Sequence, residues 1–272
     1  MWLALLLAAA PAEAARAHSL LTYVAADYAA AVGDGGEVLS RLELDEQRLF
    51  AGDAADDLRA AGANDLASGT EQLIAKIAAA AAPREVVPLA QALAARIAQR
   101  FRLSMLPRRA PNLESGRALY QQACAACHGA AGTPHVEHLE LSTRPTAFAS
   151  RREVARLSPR RIYATVTFGV PGTAMPSFAE ALDEDARWDL AYAVLLFAHP
   201  PEERRRGEAL LKTLPRRPDW LQLAVRSDDQ LRAGLSQSPF PAEDREAVIS
   251  AVRAGFAGAA SPVRTAGASR GQ

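Results

Sequence analysis

Cysteine is nearly missing, with only Cys124 and Cys127 in 272 residues. Two cysteines three positions apart cannot build a disulfide framework, and a four-cysteine zinc site is excluded. Methionine is as scarce, at Met1, Met105 and Met175. Aromatic residues make up 6% of the chain, too few for the strand-rich core of a β-sandwich. Neither sign of charge is in excess, with 31 Lys plus Arg against 31 Asp plus Glu. That balance argues against a nucleic-acid partner, which calls for a basic surface. Internal repeats are absent, and the apolar runs around Leu73–Ala82 and Leu190–Ala198 are short or broken by charge. Neither approaches the roughly 20 residues that cross a bilayer. What is plentiful is alanine, within a composition that is 49% hydrophobic and 23% charged. Such a chain is globular and favours helix, so the expected fold class is all-α.

The first residues differ in kind. Residues 2–10 read WLALLLAAA, and Pro11 and Ala12-Glu13-Ala14 follow. A short apolar core before small residues is the pattern of a secretory leader, here residues 1–14, although no Lys or Arg precedes the run. Export to the periplasm is the expectation.

Proline and glycine clusters divide the rest. A helical domain is expected over 15–105. Leu21, Val24, Tyr28 and Val32 recur at helical spacing until Gly33-Asp34-Gly35-Gly36 stops them. Leu42, Leu49 and Phe50 mark a second helix. Leu73, Ile74 and Ile77 mark a third, ended by Pro83, and Leu89, Leu93, Ile97 and Phe101 a fourth, together an antiparallel bundle. A basic linker follows at 106–112, then a domain over 113–199. A helical C-terminal region spans 200–256, with Ser227 as an N-cap and Val248, Val252 and Phe256 on one face of its last helix. The Ala, Gly, Ser and Arg composition of 257–272 predicts a frayed tail.

The chemistry sits in the middle. Cys124-Ala125-Ala126-Cys127-His128 is Cys-x-x-Cys-His, the attachment signature of c-type haem. Two thiols on one turn reach the two vinyl groups along one side of a porphyrin. The adjacent imidazole then supplies an axial ligand. The other chemistries open to these residues are a redox dithiol, which lacks a surrounding βαβ pattern, and a zinc site drawing on His135 or His138. For the sixth ligand, Met175 lies 47 residues after His128, within Gly169-Val170-Pro171-Gly172-Thr173-Ala174-Met175-Pro176. Such a loop carries a side chain over a flat macrocycle, and a thioether raises the reduction potential. Met105, His135 and His138 are the alternatives. Gly116 and Tyr120 on the approach helix, and Trp188, Ala191, Tyr192 and Leu195 over 183–197, mark two helices that clasp the site.

In the order Gly116-x-x-x-Tyr120, CAACHG, Met175 loop and aromatic C-terminal helix, region 113–199 resembles a class I c-type cytochrome domain. The resemblance implies a small helical bundle around one covalently attached haem c and single-electron transfer between periplasmic partners. A second resemblance rests on His18-Ser19-Leu20-Leu21-Thr22-Tyr23-Val24, Asp27-Tyr28, Gly36-Glu37-Val38, Glu43, Glu46 and Phe50. Leu157-Ser158-Pro159 through Thr165, Gly169-Val170 and Met175, and later Ser227-Asp228 and Leu231, add to it. These look like the periplasmic portion of bacterial fusions of cytochrome c to a high-affinity iron permease. That likeness implies ferrous-iron oxidation or uptake, with a membrane iron permease and ferrous iron among the partners. Asp27, Glu43 and Glu46 would be an acidic iron site, since hard oxygen donors suit iron. The rival expectation is an electron-transfer subunit of a periplasmic dehydrogenase or terminal oxidase.

Overall fold

The computed structural model describes residues 3–103, 106–135, 141, 143–212, 219–236, 238 and 240–255. All of its regular structure is helical, and among the described residues there is no strand beyond one isolated bridge between Val32 and Val38. The chain divides into two compact units, Met1–Met105 and Leu106–Gln272.

In the first unit, α1 (Leu3–Ala31) packs on α2 (Arg41–Ala60) and α4 (Pro83–Phe101), and α3 (Asn64–Ala78) joins α2 to α4. The stripe expected on α1 is buried: Leu21, Val24, Tyr28 and the following Val32 are all closed to solvent. Ser40 caps α2 by accepting from the Glu43 N–H. The phase of α2 differs from expectation. Leu42 and Leu49 are 78% and 43% exposed, and the core face is Leu44, Gln47, Phe50, Ala51, Ala54 and Leu58. A buried glutamine at the centre of that stripe breaks the apolar pattern and shifts the apparent period onto the outer leucines. Likewise Pro83 does not end α3, which stops at Ala78; it opens α4 at the first turn, where a missing N–H costs nothing. The Tyr28 hydroxyl donates to Ala81 O at 2.8 Å and pins that turn to α1. Among the described residues no helix is long and apolar enough to cross a membrane.

The second unit is built on the crossing of α5 (Leu113–Ala123) with α9 (Glu184–Leu195). Asn112 caps α5 by accepting from the Glu114 and Ser115 N–H groups, and Asp183 caps α9 by accepting from Ala186 N–H. Between them lie α6 (Ala125–His128), α7 (Arg151–Val154) and α8 (Pro159–Phe168), the last packed on α9. Trp188 of α9 is 1% exposed and stacks on Tyr163 of α8 with centroids 4.2 Å apart. After the 3-10 turn Leu196–Ala198 come α10 (Pro201–Leu211), α11 (Trp220–Ala224), α12 (Asp228–Leu235) and α13 (Ala242–Ala254). Helices α10 and α13 pair along their length. Ser227 caps α12 in a capping box with Gln230, as the sequence signals. Val248 and Val252 are buried as expected, and Phe256 and the tail lie outside the described residues.

Candidate functional site

The site begins at the α5–α9 crossing. A Cβ on Gly116 would lie 2.1 Å from Asp189 O and 2.8 Å from Ala193 Cβ, so only glycine permits this approach. Asp189, with a side chain 4% exposed, anchors the crossing. Its carboxylate accepts two hydrogen bonds from Arg109, at 2.9 and 2.8 Å, and one from the Asn112 N–H at 2.7 Å. Arg109 Nε also donates to Asp185.

Helix α5 delivers the thiols. Cys124 N–H donates to Tyr120 O, and Cys127 and His128 N–H both donate to Cys124 O. Both sulfurs and the imidazole therefore project from a single turn. Cys124 is buried and Cys127 exposed, and both are free. Burial, reinforced by the neighbouring Cys127, pushes the Cys124 thiol up to about 11, so it is protonated at neutral pH. Tyr120 is fully buried and its hydroxyl donates to Gly129 O at 2.7 Å, fixing the chain just after the motif.

His128 is held on two sides. Its Nδ1 lies 3.0 Å from Thr146 O. A carbonyl only accepts, so Nδ1 carries the proton and Nε2 keeps the lone pair that a metal needs. Phe148 stacks on the imidazole at 4.8 Å and 28°. Tyr120 meets Phe148 edge-on and packs against Phe197 at 4.6 Å. Burial pulls the His128 pKa down, against the pull of the Thr146 carbonyl, and favours the neutral ligand form. Two free thiols, a neutral imidazole with Nε2 open and an aromatic wall are a donor set that fits haem c.

Met175 is half-buried in a loop returning from α8. Gly169 opens it at φ 72°, and a Cβ there would lie 2.7 Å from Met175 O. Val170 N–H donates to Met175 O at 3.1 Å, and Met175 N–H donates to Thr173 Oγ1 at 3.1 Å. Ser177 Oγ donates to Thr167 O, tying the far side of the loop to α8. His135 is exposed, and Met105 and His138 lie outside the described residues. In the first unit Asp27, Glu43 and Glu46 are each half-buried. No group of three His, Cys, Asp or Glu that could hold a metal ion is present among the described residues.

Several residues at or near the site carry little signal in the sequence: Thr146, Phe148, Phe197, the Arg109–Asp189 clamp and Glu153, whose carboxylate accepts from Ala147 N–H. Thr146 acts through its carbonyl, which any residue carries. Ser150-x-x-Glu153 did carry a signal, that of a capping box.

Residues 111–192 match the family model of cytochrome c oxidase, cbb3-type, subunit III. Dihydro-heme d1 dehydrogenase of Pseudomonas aeruginosa is 35% identical over 112 residues, which cover 38% of this chain and 21% of that protein. The match thus spans about a fifth of that relative's length. No solved structure matches the chain. Residues 111–192 are a cytochrome c-type domain, whose cofactor is haem c and whose chemistry is electron transfer.

Proposed function

We propose that this protein is a periplasmic monohaem electron carrier. Cys124 and Cys127 would hold the porphyrin by thioethers, and His128 and Met175 would ligate its iron. The observation that carries this reading is the hydrogen bond from His128 Nδ1 to Thr146 O, which leaves Nε2 as the ligating atom on the turn that bears both thiols. When bound, the haem supplies a reversible one-electron couple. The chain's part is to orient and enclose it. Thr146 and Phe148 fix the imidazole plane, Tyr120 holds the turn after the motif, and the Met175 loop is tied back to α8.

Two observations support service to a larger redox assembly: the family model is that of an oxidase subunit, and the relative is a dehydrogenase. The reading then is an electron-transfer subunit of a terminal oxidase or dehydrogenase. The N-terminal likeness to the cytochrome–permease fusions favours the other reading, in which ferrous iron is the donor and a membrane iron permease the partner.

The test begins with expression in a host competent in cytochrome c maturation. Denaturing gels of the wild type should stain for haem. Staining should weaken in Cys124→Ala and in Cys127→Ala and vanish in the double variant; undiminished staining there would refute attachment at this pair. Deleting the gene separates the partners. Impaired growth on limiting iron supports the iron reading, whereas intact iron uptake with lost oxidase or dehydrogenase flux supports the assembly reading.

A further inference from the structure

The peptide unit joining Thr146 to Ala147 is engaged at both ends. Its carbonyl oxygen lies 3.0 Å from His128 Nδ1. Its N–H donates to a Glu153 carboxylate oxygen at 2.7 Å. A peptide is conjugated, so a negative charge bonded at the N–H drives electron density onto the oxygen and makes it a better acceptor.

We propose that Glu153 is a positioning residue for His128, acting through the Thr146–Ala147 peptide: it turns the carbonyl onto Nδ1–H and strengthens the imidazole as a donor to iron. The proposal rests on the reading that His128 ligates the haem.

The local sequence sets this apart from ordinary helix capping. In Ser150-Arg151-Arg152-Glu153 a capping-box glutamate would return to the Ser150 N–H. Here Ser150 N–H donates to Ala147 O at 2.9 Å instead, and the carboxylate passes its own four-residue helix to reach Ala147. From the other side Ala149 N–H donates to Gly132 O at 3.0 Å, so the segment cannot swing away. Phe148, the next residue, stacks on the ring that the carbonyl engages. Among the described residues the cation paired with Glu153 is Arg144, whose Nη1 is 3.9 Å away on a side chain 62% exposed, a contact too loose and too wet to cancel the carboxylate charge.

A carboxylate behind a metal-bound histidine raises its basicity and fixes its orientation. Stronger donation favours ferric over ferrous iron, so Glu153 holds the reduction potential down.

The test uses the haem-loaded full chain. Glu153→Gln keeps an oxygen to accept from Ala147 N–H but removes the charge, and Glu153→Ala removes both. The expected result is an upward shift of the midpoint potential in Glu153→Gln and a larger one in Glu153→Ala. The Nδ1 nitrogen resonance of His128 in the reduced protein should move toward that of a weaker hydrogen bond. Haem staining should be undiminished in both. A wild-type potential in haem-loaded Glu153→Gln overturns this proposal alone, since it leaves only hydrogen-bond geometry. Absence of haem from the wild-type protein overturns the ligation reading and this proposal with it. Glu153→Gln is decisive even where Glu153→Ala fails to fold.

Discussion

At Met175 the loop and the side chain do separable jobs. The loop's shape comes from Val170 N–H on Met175 O, from Thr173 Oγ1 donating to Val170 O at 2.9 Å, and from Met175 N–H on Thr173 Oγ1. None of these uses the thioether. On the proposed ligation, Met175→Ala should therefore fold and keep its haem while losing the sulfur–iron bond. Ferric Met175→Ala should lack the weak far-red sulfur-to-iron charge-transfer band. Its potential should fall, because thioether ligation is what raises it, and carbon monoxide should bind the reduced form quickly. The band should persist in Met105→Ala. Its survival in Met175→Ala would move the sixth ligand elsewhere.

Among the elements, the α5–α9 crossing matters most, because α5 runs straight into the haem motif. An alanine Cβ at Gly116 meets backbone oxygen at 2.1 Å, which no rotamer relieves, so the helices must part. Overpacking of this kind costs about 1–3 kcal/mol, or a fall in Tm of several degrees for a unit of this size at about 2–4 °C per kcal/mol. Melts followed by haem absorbance should show that loss in Gly116→Ala. Gly234→Ala, with nothing within 4 Å of the added carbon, should melt at or slightly above wild type. This crossing was legible in the sequence, as were the Cys-x-x-Cys-His turn and the Ser227 cap, because glycine, cysteine and capping serine each announce a local geometry. What was not legible depends on chain folded back from a distance. Thr146 and Phe148 reach His128 from 18 and 20 residues away, and Thr146 does so through backbone alone. The face of α2 departs from its apparent pattern because Gln47 is buried where the pattern demands an apolar residue. Glu153 was hidden by resembling a helix cap, a role its carboxylate does not perform.

At the scale of the whole second unit, a polar network links α7, α10, α13 and the start of α12. Arg151 of α7 bonds Glu203 of α10 and, at 3.0 Å, Glu246 of α13. Ser250 Oγ donates to Glu203 at 3.0 Å and lies 2.9 Å from His199 Nδ1. His199 Nε2 is 3.1 Å from Asp228, whose other oxygen accepts from Arg253 Nε at 2.9 Å. Arg253 also donates to Leu223 O and Arg226 O, gathering α11 and the start of α12 onto α13. Arg253 and Asp228 side chains are 1% and 5% exposed, so either charge alone would be stranded in low dielectric. Burial by itself would raise the Asp228 carboxyl, but the His199 ring beside it and the Arg253 charge outweigh it and hold the carboxyl below its usual range. A depressed folded-state pKa contributes stability above the unfolded value near 4 and loses it as pH falls through the folded value. Asp228→Asn should therefore destabilise the second unit at pH 7 by about 3–5 kcal/mol, the cost of breaking a buried pair from one side. Haem-detected melts of wild type and Asp228→Asn should differ fully at neutral pH, begin to draw together as pH falls below the unfolded value near 4, and meet only as it passes the lower folded-state value of Asp228. A difference that persists undiminished at pH 3 would show that Asp228 acts there by shape and not by charge.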